Sequence, residues 1–131
     1  MDNLAKGFIQ NNNYKLVNVD IENQICVMDA IIDKNSLNPV GIVHGGFMFG
    51  LADTTAGVLA HSLIGPSVTL NSTIDYFHPV TGNKIEASAK CVKKGSKISV
   101  FDVSIYNDKN ELVARSTITY YHLNSDKKNN K

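Results

Sequence analysis

Asp53 is the side chain in this sequence whose setting most plainly suggests chemistry. It stands in the run GIVHGGFMFGLADTTAG at residues 41–57, which holds no other carboxylate, lysine or arginine. Between residues 35 and 74 it is the only side chain with a formal charge when the histidines are neutral. Burying a carboxylate among apolar residues is costly, so its place in this run needs a reason.

Two interpretations of Asp53 follow from the residues around it. The acid can be structural, bonded to Thr54, Thr55 or a neighbouring strand, because buried polar groups are generally satisfied by hydrogen bonds. It can instead be reactive, as a general base or a nucleophile. The surrounding sequence decides which interpretation gains support.

His44, Gly45 and Gly46 fall where a long helix is predicted to begin. The first backbone N–H groups of a helix lack partners and lie at the positive end of its dipole, so Gly45 and Gly46 are expected to offer donors. Without side chains they let another group approach, which outlines an anion or oxyanion site. The alternatives are tight packing of the helix start for the glycines, and a capping or core imidazole rather than a catalytic base for His44.

The spacing of these groups limits how they can cooperate. Asp53 lies eight residues after Gly45, about 12 Å along one helix. A carboxylate at that distance cannot serve the oxyanion site of its own chain. If both act on one carbonyl, the helix start of one subunit must face the middle of the helix of another, as a two-fold dimer allows.

Hydrophobic periodicity predicts an α+β fold in which these groups are carried by one long buried helix. Apolar residues lie almost all round a helix at residues 45–63, and a short amphipathic helix is predicted at residues 2–11. Patterns of period two predict six strands, at residues 16–21, 25–32, 67–77, 84–93, 97–106 and 111–123. We expect a curved antiparallel sheet to wrap the helix, with the last four strands as a meander and a polar tail at residues 124–131.

Composition bounds the remaining possibilities. A chain of 131 residues with a net charge of +1 suits a single domain and has no overall field for nucleic acid or an anionic membrane. The start lacks the pattern of a secretion signal, and residues 47–64 are too interrupted to span a membrane, so a cytoplasmic protein is expected. Cys26 and Cys91 lie in strand patterns and are interpreted as small buried hydrophobes.

The run from residue 38 to residue 62 closely resembles the signature of hotdog-fold acyl-CoA thioesterases of the phenylacetate-pathway, PaaI-like type. The order of strands and helix agrees as well, over roughly residues 14–123. The positions that match the signature are Asn38, Gly41, His44, Gly45, Gly46 and Asp53.

The resemblance implies a helix wrapped by a sheet, homodimers that pair their sheets edge to edge, and often a tetramer made of two dimers. Gly45 corresponds to the oxyanion-hole amide, and Asp53 of the partner subunit to the general base or nucleophile. Asn38 corresponds to a group that orients the thioester or water, and His44 to one that shapes the loop. Thr69 lies where some members carry a hydroxyl that positions water.

The implied reaction is hydrolysis of an acyl-CoA, with an aryl or medium-chain acyl group expected. It needs no metal and no cofactor, because a polarised carbonyl and a carboxylate suffice for an activated thioester. Lys93, Lys94 and Lys97 are candidates for the phosphates of coenzyme A, or they belong to an ordinary solvated turn. Aromatic residues that could line an acyl pocket, or simply fill the core, are Phe47, Phe49, Tyr76 and Phe77.

Two other functions are compatible with these residues. One is a hydratase or dehydratase of the same fold, although such relatives generally place a histidine differently. The other is a non-catalytic module that binds acyl-CoA. Release of free thiol from acyl-CoA distinguishes hydrolysis from both.

Overall fold

The computed structural model describes residues 3–123, and within that range the chain forms two α-helices, a short 3-10 helix and six strands. The helices are α1 (Asn3–Asn11) and α2 (Gly45–Leu63), and the 3-10 helix is Lys34–Ser36. The strands are β1 (Tyr14–Asp20), β2 (Ile25–Ile31), β3 (Ser67–Tyr76), β4 (Lys84–Lys94), β5 (Ile98–Asn107) and β6 (Leu112–His122). The predicted α+β architecture is confirmed. The polar tail predicted at 124–131 lies outside the described residues.

The strands form an antiparallel sheet in the order β1-β2-β4-β5-β6-β3. The expected meander of the last four strands is therefore wrong at β3, which pairs with β6 at the edge of the sheet and not with β4. The prediction assumed that strands adjacent in sequence pair, which is a common arrangement but not a rule. Here β2 supplies the neighbour of β4, with Ile25 opposite Lys90 and Ile31 opposite Lys84.

The core lies between α2 and the concave face of the sheet. Leu51, Ala52 and Leu59 of α2 are completely buried. On the sheet, Met28 and Phe101 are completely buried as well. Each large side chain buried in this way contributes about 1.5–3 kcal/mol to stability. Because apolar residues surround α2, this helix is held firmly at the centre of the fold.

β3 leaves an open edge of the sheet, since β6 is its neighbour on one side and no strand of residues 3–123 lies on the other. Two large apolar side chains on this strand, Val68 and Leu70, are 47% and 57% exposed. A long apolar edge with free backbone groups is a template for pairing with another chain.

The two cysteines are buried, as the strand patterns predicted. Cys26 is fully buried and Cys91 nearly so. Burial raises the pKa of the Cys26 thiol to about 12 and also raises that of Cys91. Both therefore stay protonated at neutral pH, which suits packing rather than nucleophilic chemistry.

His122 ends β6 in a buried hydrogen-bond network. Its Nδ1 lies 2.8 Å from Ser67 Oγ and its Nε2 lies 2.7 Å from Ser99 Oγ. Ser67 donates its own hydrogen to the carbonyl oxygen of Gly65, and Ser99 accepts from the N–H of Gly95. Because Ser67 gives its hydrogen to Gly65, Nδ1–H must donate to Ser67, and the Ser99 hydroxyl can donate to Nε2, an arrangement that fits a neutral imidazole.

We expect this network to make stability depend on pH. Burial lowers the pKa of His122 below its usual value of 6.5. As pH falls, His122 is therefore protonated at a higher pH in the unfolded chain than in the folded protein. The contribution of His122 to the free energy of unfolding is fully present above about pH 6.5 and is lost as pH falls below that value. Thermal unfolding between pH 8 and pH 5 measures this loss.

His122→Gln is the matched variant, because glutamine offers a donor and an acceptor but does not titrate. This variant is expected to show a smaller change in thermal stability between pH 6.5 and pH 5 than the wild type. Asp20 and Asp33, whose pKa values hydrogen bonds lower below 3.8, act only at more acidic pH. An unchanged slope in the variant would assign the effect to other groups.

No helix in residues 3–123 has both the length and the apolar character required to cross a membrane.

Candidate active site

The start of α2 is capped by His44. Its Nδ1 accepts a hydrogen bond of 2.9 Å from the backbone N–H of Gly46, and its backbone is extended, as expected of a residue preceding a helix. The interpretation of His44 as a capping imidazole is confirmed. The expectation that Gly46 offers an unpaired amide is wrong, because the imidazole occupies that donor.

The N–H of Gly45 is the donor that remains at the helix start. It has no acceptor among residues 3–123. The carbonyl of His44, in the same peptide group, accepts from the N–H groups of Phe47 and Met48 at 3.0 and 3.3 Å. Those bonds polarise the peptide, and the helix dipole adds to the effect. The Gly45 amide is thus a strong donor directed away from the helix.

Tyr76, at the end of β3, fixes the next peptide group. Its hydroxyl donates to the Gly45 carbonyl at 2.8 Å, while His44 holds the N–H of the same peptide. A Cβ atom at Gly45 would lie 3.2 Å from the Tyr76 ring and hydroxyl, tighter than ordinary contact. Tight packing of the glycine against a strand, the alternative drawn from the sequence, is therefore also present. Sequence analysis identified Tyr76 only as an aromatic residue that could line a pocket, and it did not predict this contact.

Asn38 organises the loop before α2. Its Oδ1 accepts from the backbone N–H groups of Val40 and Ile42, both at 3.1 Å. Its side-chain Nδ2 has no acceptor in the described part of the chain. The loop is tied to the helix start through the N–H of His44, which donates to the Ser36 carbonyl at 2.8 Å. Asn38 can therefore act toward a ligand as a donor.

Asp53 is held by two hydroxyl groups on one of its oxygens. Thr69 Oγ1 donates to Oδ1 at 2.9 Å, and Tyr120 donates to the same atom at 2.6 Å. Oδ2 has no partner among residues 3–123. The Thr55 hydroxyl bonds instead to the Leu51 carbonyl. The expectation that a neighbouring strand binds the acid is thus correct. Oδ2, however, remains available to a ligand.

Tyr120 is the residue at this site that sequence analysis missed. The signal that could have found it is its phase in β6, where it shares the inner face with the buried Ile118. Its own burial, and then the negative charge of Asp53, raise the pKa of its phenol far above the usual value. Tyr120 therefore remains protonated and remains a donor.

One chain does not bring the two reactive groups together. Gly45 and Asp53 are eight residues apart on the same continuous helix, about 12 Å along its axis. Within residues 3–123, therefore, the free amide and the free carboxylate oxygen belong to separate half-sites, one at the helix start and one at its middle.

The three candidate lysines, Lys93, Lys94 and Lys97, lie exposed at the hairpin between β4 and β5. Strand register places Lys94 opposite Ser99, Ser99 opposite Tyr120, and Tyr120 opposite Thr69. Three strand spacings amount to about 14 Å, so the hairpin lies at the Asp53 end of the molecule.

The candidate pocket aromatics fall into two groups. Phe47 is 9% exposed and packs against Tyr14 with ring centroids 5.3 Å apart, so it belongs to the core. Phe49 is partly buried, whereas Tyr76 and Phe77 are 47% and 49% exposed. Of this exposed pair, Tyr76 lies beside the helix start, where its ring and hydroxyl contact Gly45, and it can contact a ligand there.

These half-sites have complementary chemistry. A polarised amide at a helix N-terminus stabilises an oxygen that gains negative charge, and a carboxylate oxygen can attack a carbonyl or accept a proton from water. In residues 3–123 no group of three or more His, Cys, Asp or Glu side chains could hold a metal ion.

Comparison with known proteins assigns this chain to a family. The family model described as the thioesterase superfamily matches residues 40–114, a stretch that includes Gly45, Asp53 and Thr69. A protein of Archaeoglobus fulgidus named as an esterase is 29% identical over 100 residues, covering 76% of this chain and 65% of that protein. The matched part thus spans slightly less than two thirds of that relative's length.

Two further comparisons concern coenzyme A. The acyl-coenzyme A thioesterase PaaI of Escherichia coli is 29% identical over 97 residues, covering 73% of this chain and 69% of the relative. A thioesterase structure from Streptococcus pneumoniae, determined with coenzyme A, superimposes with a TM-score of 0.78 at 30% identity, covering 83% of this chain and 84% of that one.

Proposed function

Because this chain belongs to the thioesterase superfamily, we propose that it is a thioester hydrolase that converts acyl-CoA to a free acid and coenzyme A. The likeness to PaaI and to a thioesterase determined with coenzyme A supports this substrate class. The observation that carries the proposal is the free, polarised N–H of Gly45 at the start of α2. We expect the acyl group to be aryl or medium-chain.

In the proposed reaction the thioester carbonyl oxygen accepts a hydrogen bond from Gly45. Asp53 either removes a proton from the attacking water or attacks the acyl carbon itself, and both routes use its free Oδ2. The carbon–sulfur bond then breaks, and the thiolate of coenzyme A leaves and takes up a proton. In the second route water then hydrolyses the anhydride formed between the acyl group and Asp53, which releases the free acid and restores the carboxylate. One oxyanion donor of this kind is worth about 3–4 kcal/mol of the barrier. Asn38 supplies a second donor toward the thioester or the water.

We propose that the two half-sites meet in a homodimer formed by pairing the free edges of β3. Tyr76 marks the Gly45 half-site on this strand, and Thr69 marks the Asp53 half-site. Leu70 is an extra, bulged residue in β3, so a two-fold axis at Thr73, near the middle of the strand, would set Tyr76 opposite Thr69 of the second copy. The same pairing would complete two sites at once.

The exposed apolar residues of β3 support this pairing. Val68 and Leu70 are about half exposed in the single chain, and burying each in a dimer would contribute on the order of 1 kcal/mol. The homodimer is the smallest assembly that the proposed site requires. The tetramer implied by the resemblance would be a dimer of such dimers.

We also propose that the lysine hairpin receives the phosphates of coenzyme A. Lys94 is on the same register row as Thr69, about 14 Å from it, a distance that the pantetheine arm of coenzyme A can span. The three ammonium groups would supply the local positive charge that a chain of net charge +1 lacks overall.

Release of thiol from a panel of acyl-CoAs tests the proposed function. Free coenzyme A should appear continuously with at least one aryl or medium-chain substrate, at a rate proportional to enzyme. A module that only binds would give no more than one equivalent per site. A hydratase would alter the acyl chain and leave the thioester intact, and either result would overturn the proposal.

A further inference from the structure

We propose that Tyr120 is a positioning residue that holds Asp53 for the reaction, an inference that rests on the proposed function. Its phenol donates to Oδ1 of Asp53 at 2.6 Å and lies equally close to the backbone carbonyl oxygen of the same residue. Contact with both groups ties the orientation of the side chain to that of the helix. Oδ2 is then the oxygen presented to the acyl carbon or its water.

Tyr120 is suited to this task because it is itself immobilised. It is 3% exposed, and its ring packs edge-on against the buried Phe101 with centroids 5.6 Å apart. Its raised pKa keeps the hydroxyl protonated, so the contact with Asp53 is a charge-assisted hydrogen bond. Thr69, the other donor to Oδ1, is exposed in the single chain, whereas Tyr120 is buried within its own subunit.

Gly57 lies beside this contact. A Cβ atom there would lie 3.4 Å from the Tyr120 hydroxyl, in ordinary contact, so the phenol lies directly against the turn of α2 that follows Asp53. Hydroxyl, carboxylate and helix backbone thus form one packed unit. Removal of the hydroxyl is therefore expected to change the orientation of the Asp53 carboxylate first.

Tyr120→Phe removes the hydroxyl and keeps the ring. Tyr14→Phe is the matched control, because Tyr14 is also buried and also donates to a backbone carbonyl of α2, that of Phe47, at 2.7 Å. It does not contact Asp53. We expect both variants to lose similar thermal stability, whereas only Tyr120→Phe lowers kcat, by about 10- to 100-fold with KM changed less than threefold.

Equal kcat in the two variants, with an active wild-type enzyme, would overturn this inference alone. A wild-type enzyme that releases no thiol from any acyl-CoA would overturn the proposed function together with it. If Tyr120→Phe does not fold, 3-fluorotyrosine placed at position 120 or at position 14 keeps the volume and the hydroxyl but makes it more acidic. A change in kcat specific to position 120 would support the inference, and its absence would contradict it.

Discussion

Replacing Asp53 with asparagine is expected to lower kcat by about 10²- to 10⁴-fold, the usual range for loss of a catalytic base. The amide oxygen can still accept hydrogen bonds from Thr69 and Tyr120, so the side chain should keep its place. The group that replaces Oδ2 is then an NH₂, which can neither accept a proton from water nor attack a carbonyl. The loss should therefore be chemical rather than structural.

Thiol release under saturating acyl-CoA, together with thermal unfolding and gel filtration, measures this prediction. Asp102→Asn is a suitable control, because that carboxylate lies on the outer face of the sheet beside Arg115, 3.8 Å away. It should leave kcat close to that of the wild type. Wild-type turnover by Asp53→Asn would remove the carboxylate from the mechanism.

Replacing Gly45 with proline is the second change of large expected effect, about 10²- to 10³-fold in kcat. Proline has no N–H, so it deletes the donor at the start of α2 that has no acceptor within residues 3–123. It is well accepted at the first position of a helix, and the extended backbone of His44 suits a residue that precedes proline. The helix should therefore form normally while the oxyanion donor is lost.

The control for this variant is Gly45→Ala, which keeps the N–H. Both substitutions add a Cβ atom 3.2 Å from Tyr76, so a steric effect would appear in both. The difference in kcat between the two variants measures the contribution of the Gly45 N–H. If alanine and proline lowered kcat equally, the N–H of Gly45 would not be the oxyanion donor.

Much of the fold could be predicted from the sequence because each element has a strong period. The all-round apolar pattern of α2 and the alternation in β4 located the helix and the strand within a residue or so of their observed bounds. The position of β3 could not be predicted in this way. Alternation indicates which face of a strand is buried, but it does not identify the neighbouring strand.

The candidate residues of the site could be named from the sequence, but their contacts could not. Gly45 and Asp53 stand out by type and spacing, whereas the hydrogen bond from Gly46 to His44 depends on a side-chain conformation that spacing does not reveal. Tyr120 is 67 residues from Asp53 in the chain, and strand pairing and helix packing bring them together. Such long-range pairs have no local signature.

We propose that each active site takes its amide from one subunit and its carboxylate from another. Mixing the two inactive variants tests it directly: Asp53→Asn and Gly45→Pro are unfolded together in equal amounts, refolded, and assayed for thiol release. A hybrid dimer would contain one intact site, built from Gly45 of the first variant and Asp53 of the second. Random pairing should restore about a quarter of wild-type activity. Activity no greater than the sum of the separately refolded variants, in a sample shown to contain hybrids, would contradict a shared site.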